Sequence, residues 1–389
     1  MKRRDFLKYT LLLSVDLNRG GLEAAISKLR NNNKYVFPFL AVSGDYKTIG
    51  YKTGQYFKQN FKAVINGRKS WHDKLMRVSQ SRKGKQVSGE LLRITNKYFP
   101  HHIQEIEGIS EGTGIHFNHL WAMSIKSELL VLYKEPAGCS TIALNKDNIL
   151  WLLHNEDGHE AYSGQMFLLK VTPPSGVSYL SMVYPGTLTG NGPSMNDRGI
   201  VQTTNYISST RAETGIPRYV IGRAILEAES LKEAVEIATI KPRTFPYHHN
   251  LGGFSEKKYM SVETVPDKES VREPEHLYFH TNHLISGLEK EFLFQNNTYI
   301  KDSSRSRFQV IRTEIEKFKD QPVTREQLLK ILSSHQNAPY SPCRHPQGEV
   351  KGTTLGTSFI DIRKGTFQIY RGNPCQAVKE KQNSVLSFD

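Results

Sequence analysis

Cysteine is scarce in this sequence, three residues in 389, too few for a disulfide framework to hold the fold. No apolar run approaches the roughly 20 residues that span a bilayer, and no fixed-period repeat is visible, so neither a membrane-spanning chain nor a solenoid is expected. Acidic residues run short in one part only. Through Gly138 there are 11 Asp and Glu against 23 Lys and Arg, whereas the remainder has 27 against 29. The basic excess lies mostly over residues 52–97 and carries no nucleic-acid recognition motif, so it reads as the solvated face of helices. A basic module for anionic surfaces is the non-enzymatic alternative.

With 38% hydrophobic and 23% charged residues, the chain has enough apolar material for one large domain or two ordinary ones. Its start, "MKRRDFLKYTLLLSV", pairs Arg3 and Arg4 before an apolar run. That is the pattern of a twin-arginine export signal and predicts a periplasmic location; a charged helical N-terminus of a cytoplasmic protein is the alternative. Residues 44–64 predict a helix entered through Gly50 and Gly54, with Tyr56, Phe57, Phe61 and Val64 on its apolar side. Further helices are predicted over 89–132, with Asn118 as an N-cap. After Cys139 the period changes. "STIAL", "ILWLLH", "QMFLLKVT", "SYLSMVY" and "IVQTTNYI" read as antiparallel strands separated by turns. Two helices follow, then strands at "YMSVETV" and "HLYFHTN", helices at 304–318 and "TREQLLKILSSH", and a closing hairpin at "TSFIDIRKGTFQIYRG". Grouped blocks of helix and strand predict an α+β layered fold.

Cys139 stands behind a Pro-Ala-Gly turn where the helical region meets the sheet. A lone cysteine is often a small buried hydrophobe. This one has a second possibility. If the Gly138–Cys139 peptide were cut, Cys139 would carry a free α-amino group beside its own thiol. An α-amino group titrates near ~7.7–8.0 and a thiol near ~8.5, so the amine can take the thiol proton without a histidine. Such a residue needs a carboxylate to orient the amine and a donor for the oxyanion. Asp157, on the return strand, and Asn282, in "FHTNHL", are the candidates.

The set "GCST" (138–141), "NED" (155–157), "PSMNDRG" (193–199) and "HTNHL" (280–284) resembles the acyl-coenzyme A:6-aminopenicillanic acid acyltransferase family, a group of self-processing N-terminal-nucleophile hydrolases that also includes carcinine and N-β-alanyl-dopamine hydrolase-like members. The resemblance runs from about Gly44 to the C-terminus. It implies a four-layer αββα fold and self-cleavage between Gly138 and Cys139. It further implies attack by the new N-terminal Cys139 on a linear amide, orientation by Asp157 of an Asn-Trp-Asp-like motif, and oxyanion stabilisation by Asn282 of a Thr-Asn-His motif. Residues 1–35 would then be the signal-bearing region, 36–138 a helical segment before the cut and 139–389 the catalytic fragment, with 36–389 together one domain. Glu156 departs from the family by replacing the usual tryptophan.

Asn155, Glu156, Asn196, His283 and Arg305 are weaker candidates for the pocket wall, and Arg307 shares the Arg305 segment. His154, Asp157, His159, Glu160, His280 and His283 are residue types that a metal site would use. Strand alternation separates His154 and Glu156 from Asn155 and Asp157, so no metal and no cofactor are expected. A papain-like Cys-His-Asn hydrolase is the second enzyme reading, weakened because a strand, not a helix, follows Cys139. Expected partners are a small amide or acyl donor and the protein's own cleaved N-terminal fragment, without nucleic acid or an integral membrane segment. Cys343 and Cys375 would pair only in an oxidising compartment.

Overall fold

A short strand, β1 (Phe39–Ser43), leads into seven helices: α1 (Tyr46–Tyr56), α2 (Lys58–Gly67), α3 (Lys69–Gln80), α4 (Arg82–Tyr98), α5 (Pro100–Thr113), α6 (Phe117–Ser124) and α7 (Lys126–Leu129). The computed structural model describes residues 35–131, 138–210, 212–288, 298–318 and 321–388, and Val36–Asp389 form one compact unit. The region bearing Arg3 and Arg4 lies outside the described residues.

Two sequence expectations for the helices shift. Gly50 and Gly54 do not mark an entrance but sit inside α1, where they meet Gly108 and Gly112 of α5. A Cβ on Gly50 would fall 2.0 Å from the Glu105 carbonyl oxygen, and one on Gly108 would fall 2.0 Å from that of Lys47. The two backbones therefore touch, and no larger residue fits at the crossing. Asn118 is not the N-cap of α6. His116 occupies that position, and its ring Nδ1 accepts the Asn118 N–H at 3.2 Å, doing what a capping side-chain oxygen would do.

The remaining elements are β2 (Gly138–Lys146), β3 (Ile149–His159), β4 (Phe167–Thr172), β5 (Tyr179–Val183), β6 (Ser194–Asn196), β7 (Ile200–Tyr206), α8 (Arg218–Ile225), α9 (Leu231–Ala238), β8 (Tyr247–Gly253), β9 (Lys258–Thr264), β10 (Glu269–Arg272), β11 (His276–His280), α10 (Thr298–Glu316), α11 (Arg325–Leu332), β12 (Gly352–Asp361), β13 (Thr366–Arg371), α12 (Pro374–Ala377) and β14 (Asn383–Leu386). They form two sheets. The larger has the order β1-β4-β5-β6-β7-β8-β9-β10 and the smaller β11-β2-β3-β12-β13-β14. Neighbours are antiparallel except β1, which runs parallel to β4 at the edge of the larger sheet.

Each sheet is covered on its outer face by helices. Val42, Phe167, Leu169, Leu251 and Val262 of the large sheet pack with Ile49, Phe57, Trp121, Ile221 and Ala234. Ile142, Leu144, Leu153 and Phe359 of the small sheet pack with Ile311, Ile315, Leu328 and Leu332 from α10 and α11. The inner faces meet each other: Thr141 of β2 donates to Asn205 Oδ1 of β7 at 3.0 Å. The order is helices, sheet, sheet, helices, the αββα arrangement. It explains why β2 and β3 are buried on both faces, with alternate residues serving different layers. Truncating a buried leucine such as Leu153 in this packing costs about 2–5 kcal/mol.

Candidate active site

Because Ile142, Leu144 and Leu153 face the helices, the two-residue period fixes the rest of the hairpin. Cys139, Thr141, His154 and Glu156 point between the sheets, while Ser140, Asn155 and Asp157 point toward α10 and α11. In the β2–β3 register Gly138 stands opposite Asp157 and Cys139 opposite Glu156. One hairpin thus delivers a scissile candidate, a thiol and two carboxylates to one end of the small sheet.

The Cys139 main chain is held on both sides. Its N–H donates to Asn282 Oδ1 at 2.9 Å, and its carbonyl oxygen accepts from Arg307 Nη1 at 2.6 Å. Arg307 Nη1 also donates to Ser140 Oγ at 3.0 Å, and Nη2 to Asn282 Oδ1 at 2.6 Å. Two donors converging on one Asn282 atom identify it as the oxygen. Its Nδ2 donates to the Tyr206 carbonyl at 2.8 Å. The Thr281-Asn282-His283 stretch is anchored through Ser304 of α10, whose Oγ accepts the Asn282 N–H at 2.7 Å and lies 2.7 Å from His283 Nδ1.

Asp157 is buried on the helix side. Its Oδ1 accepts from Thr354 Oγ1 at 2.7 Å, and Oδ2 has no hydrogen-bond partner among the described residues. Burial pushes its carboxyl up to about 7, against the pull of Arg344 and Arg307. Both guanidinium groups crowd Gly138: a Cβ there would lie 2.7 Å from Arg344 Nη1 and 2.9 Å from Arg307 Nη2. Glycine is the residue that leaves room for them.

On the inter-sheet side, the Cys139 thiol donates to Glu156 Oε1 at 3.6 Å, and Tyr184 Oη donates to the same oxygen at 2.6 Å. Glu156 Oε2 lies 3.2 Å from His154 Nε2, whose other ring nitrogen is 2.8 Å from Thr141 Oγ1. Cys139, His154 and Glu156 have ligand-type atoms within 4.8 Å of one another, but both His154 nitrogens are already engaged. Burial first, then Glu156 and Asp157, holds the thiol well above its usual range. In front of it opens a small pocket of about 60 Å³, lined by Tyr162, Tyr184, Tyr206, Tyr219 and Tyr247 together with Arg68 and Lys126.

The structure brings Gly138, Cys139, Glu156, Asp157 and Asn282 together. Of the weaker candidates only Glu156 is in that group; the other four have different places. Asn155 ties β3 to the segment beyond α11, donating to the Leu332 and Pro342 carbonyls at 2.9 and 3.0 Å. Asn196 closes a turn, donating to the Leu226 and Ala228 carbonyls at 3.2 and 2.8 Å. His283 supports Ser304 behind Asn282, and burial holds its imidazole down to about 4. Arg305 is exposed while Arg307, two positions on, is fully buried in the site; helical geometry separates the two by about 200° around α10. Sequence spacing missed the parts played by Arg307, Arg344, Tyr184 and Thr354. Only the Arg-Ser-Arg stretch hinted at one of them.

Two facing sheets between helical layers, with a buried cysteine second in strand β2 and a carboxylate and an asparagine converging on it, make an α+β fold of αββα layers with one candidate active site at the end of the small sheet. The family model described as acyl-coenzyme A:6-aminopenicillanic acid acyl-transferase matches residues 144–376, more than half of the chain. The chain belongs to that family, and so to the acyltransfer and amide-hydrolysis type of enzyme. The matched span includes Asp157 and Asn282 and begins five residues after Cys139. Beta-alanyl-dopamine/carcinine hydrolase of Drosophila melanogaster is 22% identical over 378 residues, covering 87% of this chain and 94% of the relative. The structure of penicillin V acylase from Agrobacterium tumefaciens aligns at 11% identity with a TM-score of 0.36, over 60% of this chain and 82% of that one.

Proposed function

We propose that this protein cuts itself between Gly138 and Cys139 and then acts as an N-terminal-cysteine amidohydrolase or acyltransferase on linear amides through a thioester. One observation carries the reading: the Gly138–Cys139 junction already lies within the constellation, with the Cys139 N–H on Asn282 Oδ1 and the thiol on Glu156.

In the cut, the Cys139 thiol loses its proton to Glu156 and the sulfur adds to the Gly138 carbonyl carbon. Collapse breaks the Gly138–Cys139 C–N bond, the nitrogen takes up a proton, and Gly138 is left as a thioester on Cys139. Water hydrolyses it to a Gly138 carboxylate and a free thiol. The new amine lies opposite Asp157, whose Oδ2 it would engage. In turnover the amine takes the thiol proton, sulfur attacks the substrate amide, and the amine product leaves protonated. Water or a second amine then accepts the acyl group from the thioester. An amide NH₂ carries two protons; Asn282 commits one to Tyr206 and offers the other to the developing oxyanion.

Intact-mass measurement of purified wild type and Cys139→Ala tests the cut. Wild type is expected as two pieces, one of 251 residues beginning at Cys139, and Cys139→Ala as one. An uncut wild type that still hydrolyses amides would overturn the amine-as-base mechanism. The cut enzyme is then offered N-acyl amino acids, small peptides and β-alanyl amines, the last suggested by the fly relative.

A further inference from the structure

We propose that His335, Cys343, His345 and Cys375 form a structural binding site for a zinc-type divalent cation, separate from the catalytic pocket. One donor atom from each of the four lies within 4.8 Å of every other. His345 Nε2 is 3.4 Å from Cys375 Sγ and 3.7 Å from Cys343 Sγ. In a tetrahedron with metal–sulfur bonds near 2.3 Å and metal–nitrogen bonds near 2.0–2.1 Å, each nitrogen–sulfur edge is about 3.5 Å. The two edges match the shape that zinc requires. His335 completes the set, its ring centroid 5.0 Å from that of His345.

The donors come from three separate pieces of chain: the exit of α11, the loop before β12, and the first turn of α12. Sequence spacing alone gave no reason to combine them. Two thiolates and two neutral imidazoles around a divalent cation make a site with no net charge, which suits a partly buried position. Four protein ligands fill a tetrahedron and leave no open position, so the cation would be a staple and not a reagent. Asn373 Nδ2 lies 3.9 Å from Cys343 Sγ, where its N–H can support a thiolate. The staple would also steady the catalytic region. Arg344 adjoins Cys343, its main-chain N–H donates to Thr354 Oγ1 at 3.0 Å, and Thr354 in turn donates to Asp157.

The same two cysteines would otherwise be free to oxidise to a disulfide, and the two fates exclude one another. The test uses the full chain, purified under reducing conditions without chelator, equilibrated with zinc or cobalt(II) and dialysed. Elemental analysis should find one tightly held zinc ion per chain. The cobalt form should show thiolate charge-transfer bands in the near ultraviolet and the intense visible bands of a tetrahedral ion. Cys375→Ser and His345→Ala should lose both signals, while Cys139→Ala should keep them. Should either variant fail to fold, the cobalt spectrum of wild type still decides. A fully reduced chain that retains no metal would overturn the proposal. So would unchanged retention in Cys375→Ser and His345→Ala, or a Cys343–Cys375 disulfide that takes up no cobalt once reduced.

Discussion

The Arg307 guanidinium spans two groups that the chain keeps 143 residues apart, placing Nη1 2.6 Å from the Cys139 carbonyl oxygen and Nη2 2.6 Å from Asn282 Oδ1. A planar fork can hold both at once, whereas a lysine is a point charge on a flexible stem. Arg307→Lys is therefore expected to keep the charge but loosen the Cys139 main chain. Cutting at Gly138, followed by intact mass over time, should slow by about 10²-fold, on the scale of losing one well-placed donor. A cutting rate equal to wild type would reduce Arg307 to a packing residue.

Asp157 gives a pH signature with a definite sign. Its folded carboxyl is raised from 3.8 to about 7 by burial, so between those values the folded uncut chain binds more protons than the unfolded one. Stability from this group is greatest below about pH 4, declines as pH rises toward 7, and is flat above that, a span on the order of a few kcal/mol. In the uncut Cys139→Ala background, Asp157→Asn should remove that decline. Urea midpoints measured from pH 4 to 8 check it; parallel curves for the two proteins would refute the assignment.

Glu156 is the carboxylate in contact with the thiol, so it is expected to matter most before the amine exists. Glu156→Gln keeps the shape and removes the proton acceptor. Cutting should slow by about 10²–10⁴-fold, the usual worth of a positioned base. Hydrolysis by protein that has already been cut should fall far less. Equal losses in both steps would argue that Glu156 serves one shared purpose, such as holding Tyr184 in place.

For Asn282 the distinction lies between rate and affinity. Asn282→Ala, assayed as cut protein so that failed maturation does not imitate failed catalysis, should lose about 10²–10³ in kcat with a much smaller change in KM. A near wild-type kcat would exclude its oxyanion role.

The α1–α5 crossing provides a test of the fold alone. Gly108→Ala pushes a methyl group to within 2.0 Å of the Lys47 carbonyl oxygen, a backbone atom that cannot rotate away. Denaturant melts should show a loss of about 1–3 kcal/mol. Gly89→Ala, whose added methyl meets nothing within 4 Å, is the control and should be neutral or stabilising.

The hairpin of β2 and β3 was legible in the sequence because a two-residue period and a turn at "NKDN" are local signals, and Cys139, Glu156 and Asp157 travel with it. Asn282 was reachable through its motif. Arg344 was not: it sits in a loop without periodicity, and its importance comes only from β12 and β2 closing around it. The parallel pairing of β1 with β4 escaped for the same reason, since "FLAVS" carries no sign of a partner more than 120 residues away. Arg305 and Arg307 show the opposite limit. The segment was visible, but choosing between them required the helix phase.

That edge strand bears on how the protein would age. β1 and helices α1–α7 belong to the piece that a cut at Gly138 would detach, yet β1 is bonded along Phe39–Ser43 to β4 and the helices cover the large sheet. The pieces would stay together by strand pairing and packing, with no peptide bond between them. Folding would then have run once as the search of a single chain, while any later recovery from unfolding would require two separate molecules to find each other. Its recovery after denaturation would depend on concentration, and the working lifetime of the enzyme would be set by how slowly it opens.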